Sequence, residues 1–561
     1  MEGMMKACRN GIKFGLAMLM VIALLAGCGS KGPETTETAP AVASTEEVKT
    51  AETDAGDGPF GKYADPVTIS VVKDLGQAAQ MFKDGDSLED NVWTRYFEDA
   101  FNIKFNWIWS TTSEQYSQKV NITITSNDLP DIMKVSAAQM KMMVDNGQAH
   151  DLSECYENYA SDFAKEVLTA DGGASLDSAT FDGQLMAIPH IVSDLQSAYV
   201  LWIRQDWLDA LGLEYPKTVE EFYEVADAFT HGDPDRNGVD DTYALGLNKD
   251  LYNTGFAGIE GFFNMYNAYP NIWIEKDGKL AYGSIQPEAK DAVAALQDMY
   301  EKGYVDPEFG VKDAQKVSED INAGKIGMFF GNFWNMAWLN DAKVADPTFE
   351  FIPVAIPGGA SAQIPFGTTE YYMVSAGCEH PEAAFKLLNG YLEKIFGETA
   401  EPTVYNITPD GLGAFDYPVI EQEPPMKNFE AAERVSAAIE SKDPSGLNEE
   451  QKNYYDMSLM SLDGDHTNNN WHQLKMFGPG GSLTVIKQYQ TDGKIVADKF
   501  AGAPTESMTE KKATLDKQQL TDYSAIIMGD SVDEFENFVK NWLKLGGEDI
   551  TNEVNEWYSN K

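Results

Sequence analysis

Apolar and polar positions recur along this chain with two periods, and the switches between them mark its elements. Val67-Thr68-Ile69-Ser70-Val71-Val72 opens the pattern with a run that reads as a strand. Asn91–Ala100 then changes to helical spacing, and Ile103-Lys104-Phe105-Asn106-Trp107 returns to strict alternation. Tyr116–Ile124 reads as a helix, and Leu129-Pro130-Asp131-Ile132-Met133 enters another strand. Strand-helix-strand-helix order of this kind predicts a parallel or mixed α/β sheet.

A second set begins at Tyr199-Val200-Leu201-Trp202-Ile203, a strand, followed by a helix from Asp206 to Leu211 that stops at Gly212. Thr218-Val219-Glu220-Glu221 has capping-box spacing, so a helix should start there and run to about Phe229. Pro287–Lys302 places Ala292, Ala295, Leu296 and Met299 on one helical face, and Gly303 ends it. Gly327-Met328-Phe329-Phe330 reads as a strand, and Asn332–Leu339 as an aromatic-rich helix or loop. In a third block Tyr371–Val374 is a strand, and a helix follows from Pro381, whose missing N–H costs little in a first turn. Leu515–Met528, Val532–Leu545 and a short piece near Trp557 read as helices. Two α/β lobes joined by crossovers explain the alternation better than one very large sheet.

The first residues follow another rule. Lys6, Arg9 and Lys13 precede an apolar run, Phe14–Ala26, that is short for a membrane span and closes as Leu25-Ala26-Gly27-Cys28. This stretch resembles a bacterial lipobox. The resemblance implies cleavage after Gly27, lipidation of Cys28 and anchoring to the bilayer through its acyl chains. Residues 28–61 are rich in Thr, Glu, Ala and Pro and poor in large apolar side chains, as expected of a flexible acidic tether. The body should occupy 62–561.

Lys and Arg number 42 against 89 Asp and Glu, a formal charge of −47, which argues against a nucleic-acid partner. Beyond Cys8 and Cys28 only Cys155 and Cys378 remain, so no disulfide scaffold is available; two free buried thiols are expected, with one disulfide the alternative.

Beyond the lipobox, three segments resemble the extracellular solute-binding proteins of bacterial ABC importers, in their large sugar-binding group. They are Tyr199–Phe222, Lys276–Phe309 and Cys378–Ala384. The resemblance implies a two-lobe, periplasmic-binding-protein-like α/β fold with an interlobe ligand cleft and several hinge crossovers. Lobe 1 is expected at roughly 62–195 plus part of 366–480. Lobe 2 is expected at roughly 196–365 plus the C-terminal helical segments. The implied partners are an oligosaccharide and the permease subunits of the transporter, and the implied place is the outer face of the cell membrane. A monomer is expected.

Asp233-Pro234-Asp235-Arg236-Asn237-Gly238-Val239-Asp240-Asp241 sets oxygen donors at alternate positions around a glycine turn. Asp233, Asp235, Asn237, the Val239 carbonyl and Asp241 match the first part of a calcium loop. Ala244 stands at the twelfth position, where an EF-hand has a bidentate Glu. The resemblance implies a shortened structural Ca²⁺ loop; the alternative is an acidic turn without metal.

Sugar recognition needs flat aromatic faces and convergent polar groups. The candidate ligand contacts are Trp202 with Arg204 and Asp206, then Asn332, Trp334, Asn335 and Trp338, with Trp471 and Trp109 beyond them. Each Trp could equally be core, and Arg204 with Asp206 could be an ion pair. No G-x-S-x-G, H-E-x-x-H or phosphate-loop pattern occurs, and the six histidines are scattered, so no enzyme is expected. A peptide carrier and a surface glycoside hydrolase or lyase are the alternatives.

Overall fold

The computed structural model describes residues 56–75, 82, 85–406 and 413–560. The expected leader, Cys28 and nearly all of the tether lie outside these residues. In chain order the strands of the two main sheets are β1 (Val67–Leu75), β2 (Ile103–Thr112), β3 (Ile132–Ser136), β4 (Ala187–Pro189), β5 (Val200–Arg204), β6 (Tyr243–Leu245), β7 (Ile326–Gly331), β8 (Phe351–Val354) and β9 (Glu370–Val374). One sheet has the order β2-β1-β3-β9-β4, the other β8-β5-β7-β6. Both are mixed. β1 runs parallel to β2 and β3, whereas β9 is antiparallel to β3 and β4. β5 is antiparallel to β7 and β8, and β7 is parallel to β6.

Each sheet has its own apolar core. One cluster joins β1–β4 and β9 with side chains such as Phe97, Leu388, Tyr391 and Ile420. The other joins β5–β8 with the C-terminal helices, through Phe429, Tyr523 and Val554. These two clusters are the two lobes. The chain passes between them three times, after β4, before β9 and beyond Ile420.

Local signals account for the helices that frame the sheets. In α1 (Val92–Phe101), the Asn91 side chain accepts from the N–H groups of Trp93 and Thr94, and Trp93, Phe97 and Phe101 form the buried face. Trp93 stacks on Tyr391 with ring centroids 5.2 Å apart. In α2 (Val219–His231) the expected capping box is present: Thr218 Oγ1 accepts from the Glu221 N–H at 3.1 Å, and the Glu221 carboxylate accepts from the Thr218 N–H at 3.1 Å. In α3 (Pro287–Glu301), Ala292, Leu296 and Met299 are buried, and Gly303 follows at φ +75°.

The structure departs from the sequence pattern in places. Residues 129–131 precede β3 rather than belong to it. Asn332–Leu339 contains only a tight turn of helix, Asn335–Trp338. The helix expected at 515 begins at Glu506, and the piece near Trp557 is the end of a helix running Glu548–Ser559. Four helices between Lys427 and Thr491 are additional to those expected from the sequence. Cys155 and Cys378 are both buried and free.

Candidate functional site

The three crossovers grip one another. The Gln422 side chain accepts from the Ile191 N–H at 3.0 Å and donates to the Ile191 carbonyl at 2.7 Å. The Asp194 carboxylate accepts from the Gly367 N–H at 2.9 Å. A Cβ at position 367 would lie 2.2 Å from Asp194 Oδ1, so only glycine allows that approach. Burial pushes the Asp194 carboxyl up to about 6, against the pull of the Gly367 N–H.

A concavity of about 390 Å³ opens beside the crossovers on the lobe 2 side, between Ser197 and Pro365. Tyr199, Asn253, Glu260, Asn332 and Gln363 line it. Glu260 is only 6 % exposed and accepts from the Asn253 N–H at 2.6 Å. Its burial pushes the carboxyl up to about 7, with hydrogen bonds from Asn253 and Tyr199 holding it lower than burial alone would. The Tyr199 hydroxyl accepts from the Gly255 N–H at 2.9 Å. Asn264 and Gln363 satisfy each other: the Asn264 amide donates to Gln363 Oε1 at 3.0 Å, and the Gln363 N–H donates to Asn264 Oδ1 at 3.0 Å. Asn332 donates to the Gln196 carbonyl at 3.3 Å, while its Oδ1 meets no donor.

Neither Trp334 nor Trp338 belongs to the lining; Trp334 approaches it at Gly255, and Trp338 lies behind Trp334. Gly255, which lines it, has the Trp334 ring within 3.5 Å of its Cβ direction. The two indoles meet edge to face at 5.5 Å, and Trp338 also lies 5.1 Å from the Phe256 ring. Trp334 is half-buried, while Trp338 is 43 % exposed.

The other expected ligand contacts have different surroundings. Trp202 is fully buried in β5 and donates its indole N–H to the Asn332 carbonyl at 3.0 Å. Arg204 is 5 % exposed, paired with Asp206 at 2.7 Å and covered by the rings of Trp207 and Phe349. Trp471 is 1 % exposed, packs on Phe349 and donates to Glu350 at 3.4 Å. Trp202, Arg204, Asp206 and Trp471 are therefore corrected to core and buried-pair roles. A strand buried on both faces leaves no free side for a ligand. Asn335 is likewise buried, with its amide donating to the Gly255 carbonyl at 3.0 Å. Trp109 lies in lobe 1, half-buried against Tyr116 and under Lys119.

Tyr199, Asn253, Glu260 and Gln363 escaped the sequence reading. One signal was available: Glu260 interrupts the small and apolar run Gly258–Phe263, which marks a buried acid.

Lobe 1 brings a charged cluster to the crossovers. Lys134 pairs with Glu370 at 3.1 Å and Glu421 at 3.8 Å, and His190 Nδ1 lies 3.5 Å from Glu370. The His190 hydrogen bond, with Lys134 beside it, holds the Glu370 carboxyl down at about 2. A second concavity, about 510 Å³, runs along His190–Ser193 and Glu421–Pro425. A third, about 880 Å³, is lined mainly by apolar side chains such as Ile352, Leu474 and Val485 and touches none of the crossovers.

The acidic loop is ordered by its own side chains. The Asp233 carboxylate accepts from the Gly238 N–H at 3.1 Å, and Asn237 Oδ1 accepts from the Val239 N–H at 2.6 Å. The Asn237 amide stands between Asp235, at 2.7 Å, and Asp241, at 3.1 Å. Burial and the neighbouring Asp233 and Asp241 push the Asp235 carboxyl up. The donors are hard oxygens that suit Ca²⁺. Among the described residues, no three His, Cys, Asp or Glu side chains converge as they would around a metal ion.

Two cored lobes, three linking crossovers and concavities beside those crossovers define a two-lobe binding protein. The chain belongs to the family described as bacterial extracellular solute-binding proteins, whose model matches residues 80–394. It is 25 % identical over 472 residues to lipoprotein LipO of Bacillus subtilis, covering 81 % of this chain and 86 % of that one. Its fold is similar to that of an HMO-binding, ABC-transporter-associated solute-binding protein from Bifidobacterium longum infantis, with a TM-score of 0.59 at 17 % identity, covering 88 % and 99 % of the two chains. It is also similar to an EF-hand mutant of FusA, an ABC-transporter substrate-binding protein of S. pneumoniae, in complex with fructo-nystose. There the TM-score is 0.57 at 17 % identity, with 88 % and 99 % covered. Among the described residues no helix is long and apolar enough to cross a membrane.

Proposed function

We propose that this protein binds an extracellular oligosaccharide between its lobes and delivers it to the permease of an ABC importer without turning it over. The observation that carries this reading is the concavity at the crossovers, lined by hydrogen-bonding groups of Tyr199, Asn253 and Asn332 and approached at Gly255 by the indole of Trp334, against which the exposed Trp338 packs. Flat rings can stack on the C–H faces of sugars, and amide and hydroxyl groups can pair with sugar hydroxyls. The sugars named for the similar solved structures support the same class of cargo. The expected lipidation of Cys28 would hold the protein, as a monomer, at the outer face of the membrane. Trp109 is retained as a lobe 1 contact.

Titration calorimetry against defined oligosaccharides and peptides tests the reading. Saturable binding of one glycan series, weakened at least about tenfold by Trp334→Ala, is expected. Binding of peptides alone would overturn it.

Asp233, Asp235, Asn237, the Val239 carbonyl and Asp241 would hold a structural Ca²⁺ that fixes this loop against the body. The EF-hand named for the similar FusA structure supports this assignment. Added Ca²⁺ should raise the Tm of the chelator-treated protein, and Asp235→Ala should abolish that rise. An equal rise in the variant would remove the ion from this loop.

A further inference from the structure

We propose that the cargo is a neutral oligosaccharide and that glycans built of uronic acids are rejected, Glu260 being the group that sets this preference. The inference rests on the carrier reading above and narrows it by charge.

The lining of the concavity beside Ser197 and Pro365 contains the carboxyl of Glu260 and no Lys, Arg or His. The second concavity along the crossovers is lined by Asp416, Glu421 and Glu423, with His190 its only basic side chain. Two lobe 1 cations beside carboxyls of this second lining are committed to pairs of their own. Lys134 is paired with Glu370 and Glu421, and Lys73 lies 3.6 Å from Asp416 and donates to the Pro418 carbonyl at 2.8 Å.

A uronate carboxylate entering the concavity beside Ser197 and Pro365 would lose water without gaining a cation, and above about pH 7 it would approach the ionised Glu260 carboxyl. Burying an unpaired charge is the costliest step open to such a ligand. The formal charge of −47 also repels an anionic polymer before contact.

The groups that do line the site call for donors. Asn332 Oδ1 has no donor, the Tyr199 hydroxyl already receives one N–H, and Glu260 accepts from Asn253. Asn332 Oδ1 is closed off in this conformation, so a sugar hydroxyl reaches it only once the amide turns towards the concavity; an ionised carboxylate, which can only accept, gains nothing from these groups. Burial confines the ionised form of Glu260, the form that repels a uronate, to pH above about 7.

The test is calorimetry on the full chain with two sets of matched length. One holds neutral tri- and tetrasaccharides of fructose, glucose, galactose and xylose. The other holds oligogalacturonates and alginate oligomers. The best neutral ligand should bind at least about 100-fold more tightly than any uronate oligomer. A uronate oligomer that binds as tightly as the best neutral sugar overturns the inference and leaves the oligosaccharide carrier standing. Peptide binding with no glycan binding overturns both. In Glu260→Gln, checked as folded by its cooperative melting, the ratio of neutral to uronate affinity measured at about pH 8, where the native carboxyl is ionised, should fall at least about tenfold. An unchanged ratio would remove Glu260 from the discrimination.

Discussion

Two tryptophans show how much a single residue's surroundings decide. In the sequence Trp202 fell within a strand and Trp338 in an aromatic-rich helix or loop, and both were open to core and ligand roles. Trp202 is fully enclosed in β5, whereas Trp338 is 43 % exposed. Trp202→Ala should therefore cost about 3–5 kcal/mol of unfolding free energy through the cavity it leaves. Trp338→Ala should cost less than about 1 kcal/mol and act on ligand affinity instead. Denaturant melts with parallel calorimetry separate the two outcomes. Arg204→Ala should resemble Trp202→Ala, at about 3–5 kcal/mol, because it strands Asp206 in a site built for an ion pair. Residue type gave no warning of these differences. Whether an indole faces sheet, helix or cleft depends on contacts between residues as far apart as Trp202 and Asn332.

At the scale of elements, the legible parts were those whose signals are local. The Thr218 box was visible because cap and partner lie three residues apart. Thr218→Ala should cost about 1 kcal/mol, read as a lower midpoint in urea with an unchanged slope. β1, β5 and β7 were found because they alternate or run apolar between turn signals. The Glu449–Leu462 helix was missed because Gln451, Ser458 and Ser461 sit beside Tyr455 on its buried face and leave little hydrophobic contrast. The extension of β2 to Thr112 was missed for another reason. β2 skips Ile108 in its pairing, so Val71 faces Trp107 and Val72 faces Trp109, and this bulge breaks the alternation that sequence reading relies on.

For the whole molecule, buried carboxyls set an unusual response to pH. Glu260 and Asp498 are pushed up to about 7 and Asp194 to about 6, in each case chiefly by burial. A carboxyl raised in the folded state stabilises fully below its unfolded pKa of about 4, and that stability is lost as pH rises through the folded value. Glu370, held at about 2, acts oppositely: its contribution is present above about 4 and lost as pH falls towards 2. From these groups the Tm should rise between pH 7.5 and pH 5 and fall again below pH 4. Glu260→Gln with Asp498→Asn should flatten the first change; an unaltered slope would assign it elsewhere. The grip of Gln422 on Ile191 and of Asp194 on Gly367 acts at the same scale. Segments bound side by side cannot slide past one another without losing three hydrogen bonds, whereas a common bend of all three segments would leave those bonds in place.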